Sequence, residues 1–370
     1  MAEILIHAGT PKTGSSSIQK WLRLHVNALR EDHGVHVLSE TGGDGDEPYR
    51  FESFTRGLMV HANRFLVAYA TIHDAGADAV RRAALCDQWA AALGDAARRH
   101  GRVLLTAEGF AVLFHRPELP FLHALERLAR EHTVRVAYYV RPQHTAIEAR
   151  WREWGFRTGM EPSAWAAKEA DDLCYWETYA QVREIAPSVR FAVRPFRRDL
   201  LAAGDVIVDF ATHFLGFAQA PDTRGLWENP GLPIDLVTLL RGAPAELLDR
   251  PAAPREGWRQ GVLGPIAQGW AVPESPESGE ARELLRRYAY ARYEVSNLRL
   301  VAELGWPTEH FVPGPAPDGD AADLGALDRL WAPRADATAL AYLYAALGAM
   351  WEHYARSREP APAATVRDGP

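Results

Sequence analysis

The chain has 370 residues, of which 47% are hydrophobic and 24% charged, so it can bury the core of one large domain or of a domain with a helical elaboration. A net charge of −7 argues against a general nucleic-acid surface, which normally appears as a basic domain, so any positive field for an anionic ligand must be local. Cys86 and Cys174 are too few for a disulfide framework and lack CxxC spacing, which predicts two free thiols. No apolar run has membrane-spanning length and no signal-peptide pattern is present, so we expect a cytoplasmic protein.

The opening segment, ILIHAGTPKTGSSSIQKWL, predicts a strand, a glycine loop and a helix in succession. Ile4–His7 is a short apolar run, which indicates a buried strand. Apolar positions then recur at helical spacing from Ser15 to Arg30, and the serines at the start supply an expected N-cap. Since His7 ends the strand beside the loop, we expect it to pack or to support the loop rather than to catalyse.

Strands and helices continue to alternate as far as about residue 200. Further strands are predicted at 35–38, 102–106, 134–140 and 189–193. Helices are predicted at 77–99, 118–130, the segment HTAIEARWREW, 233–240, 281–304 and 335–354, and a loop at 41–48. This alternation predicts an α/β fold with a mostly parallel central sheet flanked by helices and a helical C-terminal elaboration.

The predicted domain organisation follows from the same pattern. We expect one domain over residues 1–356, with the core sheet in about 1–215 and the helical elaboration in about 216–356. The final segment, 357–370, is rich in proline and poor in apolar residues, which predicts a disordered tail.

Three features fall just past predicted strand ends: the loop between Gly9 and Ser17, Glu108 and Arg141. Ligands of parallel sheets bind at the carboxyl ends of the strands, so these features are expected to converge on one site. A glycine loop at a helix N-terminus is a ready anion site, because backbone N–H groups and the helix dipole both point at the ligand. Lys12 adds a charge from the loop itself.

A nucleotide kinase would need a lysine where this chain has Ser15, and a metal-binding acid. Asp209, in DVIVDF, ends a segment that resembles such a strand, but GDVIVDFATHFLG also fits a helix, and we predict no metal site. A sulfuryl group carries less charge than a phosphoryl group, so a lysine and backbone N–H groups suffice for its transfer without a metal.

TPKTGSSSIQ resembles the 5′-phosphosulfate loop of the PAPS-dependent sulfotransferases, with core pattern Pro-Lys-x-Gly-Ser/Thr-Ser/Thr, and YYVRPQHTAIEARW resembles their 3′-phosphate motif. VRPFRRDLLAAGDVIVDFATHFLG, ENPGLP and RRYAYARYEVSNLRLVAELG resemble segments of a bacterial branch of the family, which extends the resemblance over about residues 3 to 312. The resemblance implies the P-loop-like sulfotransferase fold, 3′-phosphoadenosine 5′-phosphosulfate (PAPS) as donor, 3′,5′-ADP as product and no metal requirement.

The resemblance also implies roles for single residues. Lys12 matches the lysine that contacts the bridging oxygen and stabilises the leaving phosphate, and Arg141 matches the arginine that grips the 3′-phosphate. The cradle of the 5′-phosphate is matched by Pro11, Lys12, Thr13, Gly14, Ser15, Ser16 and Ser17.

The sequence departs from the family pattern at two positions. The family usually has a serine eight residues after the arginine, where this chain has Ala149; Thr145 and Arg150 are the neighbouring candidates to replace it. Several eukaryotic members have a tryptophan near the adenine where this chain has Ser17.

Transfer to an alcohol needs a base that takes the proton as the oxygen attacks. The family's base, a histidine or a glutamate, lies near Glu108, which is our first candidate; its alternative role is to stabilise a helix N-terminus. His61 is the second candidate base. Trp151, Trp154, Trp165 and Trp176 either line an acceptor pocket or fill the core.

We therefore expect a sulfotransferase that acts on a hydroxyl of a carbohydrate or small natural product, with no nucleic-acid partner and no membrane span. Two alternatives remain open at the level of sequence. One is a phosphotransferase of the P-loop type, and the other is a non-catalytic nucleotide-binding protein of the same fold.

Overall fold

The computed structural model describes residues 1–38, 79–107, 109–115, 120–155, 158–224, 226, 234–241, 275–311 and 323–332. Within these ranges five strands form one sheet: β1 (Glu3–His7), β2 (His36–Val37), β3 (Arg102–Thr106), β4 (Thr133–Val140) and β5 (Arg190–Pro195). The five strands confirm the five that the sequence predicts. The loop predicted at 41–48, the helix at 335–354 and the tail at 357–370 lie outside the described residues.

The sheet has the strand order β2-β3-β1-β4-β5, and every pair is parallel. The chain therefore builds first on one side of β1 and then on the other. His7, the last residue of β1, is in register with Thr106 of β3 and Ala137 of β4. The predicted parallel sheet is confirmed, and β1 is its central strand.

The described helices, some of which flank the sheet, are α1 (Ser15–Leu24), α2 (Val26–His33), α3 (Ala79–His100), α4 (Gly109–Phe114), α5 (Phe121–Glu131), α6 (Gln143–Glu153), α7 (Pro162–Ala170), α8 (Tyr175–Ile185), α9 (Val206–Asp209), α10 (Ile234–Arg241), α11 (Pro276–Leu304) and α12 (Ala326–Leu330). The central strands are buried on both faces, as is typical of parallel strands covered by helices. Among the described residues, no helix is both long and apolar enough to cross a bilayer.

The first predicted helix is two helices in the structure. α1 ends at Leu24, and its C-cap His25 leaves the helical region at φ −116° and ψ 16°. α2 ends at His33, and its C-cap Gly34 is left-handed. The predicted serine N-cap is also wrong, because the N-cap of α1 is Gly14 and no side chain caps the helix. The spacing of the apolar residues does not reveal this break, because the buried residues of both helices pack into the same hydrophobic core.

Asp209 lies at the centre of a buried polar network. Its side chain is fully buried and accepts two hydrogen bonds from the Arg194 guanidinium at 2.6 Å, one from Tyr139 Oη at 2.8 Å and one from the Ala202 amide at 3.0 Å. The segment is helical, with Asp205 capping α9 before a π-helical turn at Phe210–Phe214. The carboxylate thus ties β4 and β5 to the chain that follows them.

The chain divides into two compact units. The first comprises Met1–Arg150, Ala166–Asn229 and Leu285–Asp323 and contains the whole sheet. The second comprises Trp151–Trp165, Pro230–Leu284 and Leu324–Pro370. In the second unit the Trp151 ring stacks on Trp331, with centroids 5.6 Å apart, and meets Trp165 edge-on at 6.2 Å. These tryptophans are buried and pack as core.

We expect Asp209→Asn to lower the free energy of unfolding by about 3–5 kcal/mol, because the substitution leaves the Arg194 charge with a neutral partner inside the fold. Urea denaturation measures the change. The matched control is Asp222→Asn, which removes the exposed ion pair with Arg224 and should leave stability unchanged. Equal effects of the two substitutions would contradict the role assigned to Asp209.

Candidate functional site

The carboxyl ends of three adjacent strands define the site. The loop after His7 leaves the end of β1, Ala107 follows β3, and Arg141 follows β4. The strands continue their pairing past their ends, since the Ala8 amide donates to the Ala137 carbonyl at 2.9 Å and the Ala107 amide to the His7 carbonyl at 3.1 Å. The loop and Arg141 therefore start from one rigid edge.

The loop turns sharply through two left-handed residues. Lys12 has φ 67° and Gly14 has φ 80°. A Cβ on Gly14 would lie 2.8 Å from Val206 Cγ1 and 3.1 Å from Phe196 Cε2, so both the dihedral angle and the packing require glycine there. Lys12 has a Cβ, and for such a residue the left-handed conformation costs about 1–2 kcal/mol. Strain of this kind is concentrated at functional sites.

Hydrogen bonds from buried threonines hold the loop in this shape. Thr10 Oγ1 donates to the Tyr139 carbonyl at 2.8 Å, and Thr13 Oγ1 donates to the Thr10 carbonyl at 2.6 Å. Both side chains are buried. The first bond joins the loop to β4, and the second closes the loop on itself, so its backbone is fixed before any ligand binds.

The N-terminus of α1 follows directly. The amides of Ser17 and Ile18 both donate to the Gly14 carbonyl, at 3.0 and 3.1 Å, which leaves the amides of Ser15 and Ser16 ahead of the first intrahelical bond. Ser15 is buried, whereas Ser16 and Lys12 are half-buried. The positive end of a ten-residue helix thus lies beside the only lysine of the loop.

Arg141 connects the two sequence motifs. Its Nη1 donates to the Lys12 carbonyl at 3.2 Å, its Nε donates to Thr145 Oγ1 at 3.1 Å, and its guanidinium lies over the Phe196 ring at 5.9 Å. The predicted phosphosulfate loop and the predicted 3′-phosphate arginine, 129 residues apart, are therefore in direct contact.

A cavity of about 510 Å³ opens beside Arg141. Its walls include Thr145, Phe196, Arg198 and Phe311, with Glu309 as an acidic member. A further wall residue, Arg197, is bound to Asp199 and to the Glu309 carbonyl. Three arginines, Arg141, Arg197 and Arg198, thus lie on the wall of this cavity. The sequence analysis assigned no role to Arg197 and Arg198. Their position just after β5, at the same edge of the sheet, could have indicated that they belong to the site.

The two candidates to replace the missing serine, Thr145 and Arg150, have different surroundings in the helix after Arg141. Arg150 is buried and donates to the Glu169 carboxylate at 2.8 Å, so it is bound in an internal ion pair. Thr145 instead accepts from Arg141 and donates to the Pro142 carbonyl at 2.8 Å, and it lies on the cavity wall. Ala149 is buried. The hydroxyl beside Arg141 is that of Thr145.

Both candidate bases, Glu108 and His61, lie outside the described residues. Glu108 falls between Ala107, which pairs with β1, and the start of α4 at Gly109. Its assignment as the base stays a prediction, as does that of His61. In the described part of the chain, no three His, Cys, Asp or Glu side chains converge as metal ligands would.

Comparisons of this chain with protein-family models, with curated proteins and with solved structures find no significant match. The site itself is defined by its geometry: a preformed anion loop at a helix N-terminus, joined through an arginine to a cationic cavity. Such a site is suited to a ligand with two separate anionic groups.

The left-handed backbone of Lys12 gives a stability prediction. Lys12→Gly should be more stable than Lys12→Ala by about 1 kcal/mol in urea denaturation, because glycine adopts a positive φ without a Cβ penalty. At Lys20, inside α1, the order should reverse, since glycine in a helix is less stable than alanine by about 1 kcal/mol. The same order at both positions would show that Lys12 carries no backbone strain.

Proposed function

We propose that this chain is a PAPS-dependent sulfotransferase with the P-loop-like fold of that family. The observation that carries the proposal is the hydrogen bond from Arg141 to the carbonyl of Lys12. It makes one continuous surface of two anion-binding elements, and PAPS has two anionic ends, a 5′-phosphosulfate and a 3′-phosphate.

The loop suits the phosphosulfate end. The helix N-terminus would hold the 5′-phosphate through the Ser15 and Ser16 amides, and Lys12, ahead of Gly14 in the turn, would meet the bridging oxygen. The position that a kinase fills with lysine is here the buried Ser15, so the loop has its cation on the other side of the glycine. This arrangement favours stabilisation of a leaving phosphate over neutralisation of a transferred phosphoryl group.

The cavity suits the nucleoside end. The fork of Arg141, oriented by Thr145, would bind the 3′-phosphate, and Arg198 would add charge to the same region. Phe196 forms one wall beside Gly14 and offers an aromatic face to a base or ribose.

The proposed reaction is an in-line displacement. An acceptor hydroxyl attacks sulfur, the new O–S bond forms as the bond from sulfur to the bridging oxygen breaks, and 3′,5′-ADP leaves with the electron pair. Glu108 would take the proton of the acceptor, and Lys12 would stabilise the charge on the departing phosphate. The acceptor would be a hydroxyl of a carbohydrate or small natural product.

Transfer from radiolabelled PAPS to a panel of carbohydrate and phenolic hydroxyls tests the reaction. We expect Lys12→Ala to lower the rate by about 100- to 1,000-fold, the scale of losing one preorganised group at a developing charge. Lys20→Ala, in the helix α1 that follows the loop, is the control and should retain the rate of the unmodified chain. Undiminished turnover by Lys12→Ala would contradict the assigned role.

Calorimetry with 3′,5′-ADP tests the nucleotide site. Arg141→Lys should weaken the binding of 3′,5′-ADP by about tenfold or more, which corresponds to about 1.4 kcal/mol of binding free energy. Lysine keeps the positive charge but lacks the planar fork of donors. Binding of 5′-AMP, which lacks the 3′-phosphate, should change much less.

Two other results would favour the alternative functions. Tight binding of 3′,5′-ADP with no transfer to any acceptor would favour a non-catalytic nucleotide-binding protein. Protection against heat by ATP with Mg²⁺, but not by 3′,5′-ADP, would overturn the proposal in favour of a phosphotransferase.

A further inference from the structure

Two buried polar atoms beside Gly9 have no hydrogen-bond partner among the described residues. They are Ser15 Oγ and His7 Nε2, on residues that are 1% and 0% exposed. A Cβ on Gly9 would come 2.5 Å from Ser15 Oγ and 3.0 Å from His7 Nε2, so both atoms face the same side of Gly9. A buried polar atom without a partner costs about 1–3 kcal/mol, a cost that a hydrogen bond formed on ligand binding would remove.

The contacts of the other ring nitrogen fit a neutral His7 that carries its proton on Nε2. His7 Nδ1 lies 2.8 Å from Thr106 Oγ1, and Gln19 Nε2 donates to the same hydroxyl at 3.5 Å. Among the described contacts of this hydroxyl, Nδ1 is the atom that can accept its proton, so we assign Thr106 as the donor to Nδ1. The single proton of a neutral imidazole then lies on Nε2, which faces Gly9.

The surroundings of His7 keep the ring neutral. It packs against the rings of Phe210 and Tyr139, with centroids 5.2 and 6.2 Å away. Burial lowers the pKa of His7 to about 3. The imidazole therefore offers a hydrogen bond from Nε2 at neutral pH without placing a charge in the core.

We propose that His7 is a positioning residue of the anion site, in which His7 Nε2–H donates to Ser15 Oγ and directs the Ser15 hydroxyl proton to the bound anion. The two atoms are not hydrogen-bonded to each other in this structure, so the contact forms by rotation of the Ser15 side chain when the anion arrives. The resulting chain of hydrogen bonds runs from Thr106 through His7 and Ser15 to the ligand, and each bond polarises the next.

This inference deepens the proposed function and rests on it for the identity of the anion, which is the 5′-phosphate end of the donor. No proton is transferred. His7 acts through Ser15 and touches neither the sulfur nor the acceptor. Gly9 belongs to the same arrangement, because any larger residue would fill the space that the two atoms share.

The test compares two probes, 3′,5′-ADP and adenosine 3′-monophosphate, which lacks the 5′-phosphate. His7→Asn keeps a polar group beside Thr106 but ends short of the Nε2 position. We expect this substitution to lower the affinity for 3′,5′-ADP about three- to tenfold, measured by calorimetry, and to leave the affinity for adenosine 3′-monophosphate unchanged. His7→Gln, whose amide reaches the Nε2 position, should recover most of the loss.

A double-mutant cycle shows whether His7 acts through Ser15. Ser15→Ala should lower the affinity for 3′,5′-ADP to a similar extent. Adding His7→Asn to Ser15→Ala should lower this affinity no further. Melting temperatures identify any variant that does not fold. Gly9→Ala, which places a methyl group against both atoms, is the second variant and should give the same selective loss.

Losses that are additive, or equal for both nucleotides, would overturn the inference and leave His7 as packing, whereas the proposed function would stand. If the unmodified chain binds neither nucleotide, the proposed function fails, and inorganic sulfate becomes the probe. Weaker sulfate binding by His7→Asn would then support the positioning role on its own. Equal sulfate binding, or none by the unmodified chain, would overturn it.

Discussion

The pairing of β1 between β3 and β4 is the constraint on which the site depends. Parallel strands in register end at one edge, so residues that are distant in sequence leave the sheet side by side. His7 meets Thr106 through this register, and Thr10 of the loop meets Tyr139 of β4 through it as well. A slip of one residue in β1 would turn the His7 side chain to the other face of the sheet.

Positive charge at the site is local, in a chain whose net charge is −7. Two acids near the site are bound to arginines: Asp209 binds Arg194, and Asp199 binds Arg197. Arg141 donates to the Lys12 carbonyl and to the Thr145 hydroxyl, which orient its guanidinium at the edge of the cavity. A planar fork of donors held in this way can bind an anion through two parallel hydrogen bonds.

The sequence predicted the sheet well because its strands are short apolar runs bounded by glycine, proline or charge, a pattern that parallel strands share. It predicted the convergence of the loop and Arg141 for the same reason. It missed the break at His25, because apolar spacing does not register a one-residue change in backbone angle. It also did not predict the ion pair of Arg150 with Glu169, nineteen residues further along the chain. Partners of that kind are set by tertiary packing.

Arg141 has a structural as well as a recognition role, and the two are linked. Its bond to the Lys12 carbonyl helps to hold a lysine in a left-handed conformation that lysine alone disfavours. Thr10 and Thr13 restrain the same turn from the other side. The group that would bind the far end of the donor thus contributes one of the several hydrogen bonds that shape the loop. Preorganisation of this kind places the strain in the folded chain, before the ligand binds.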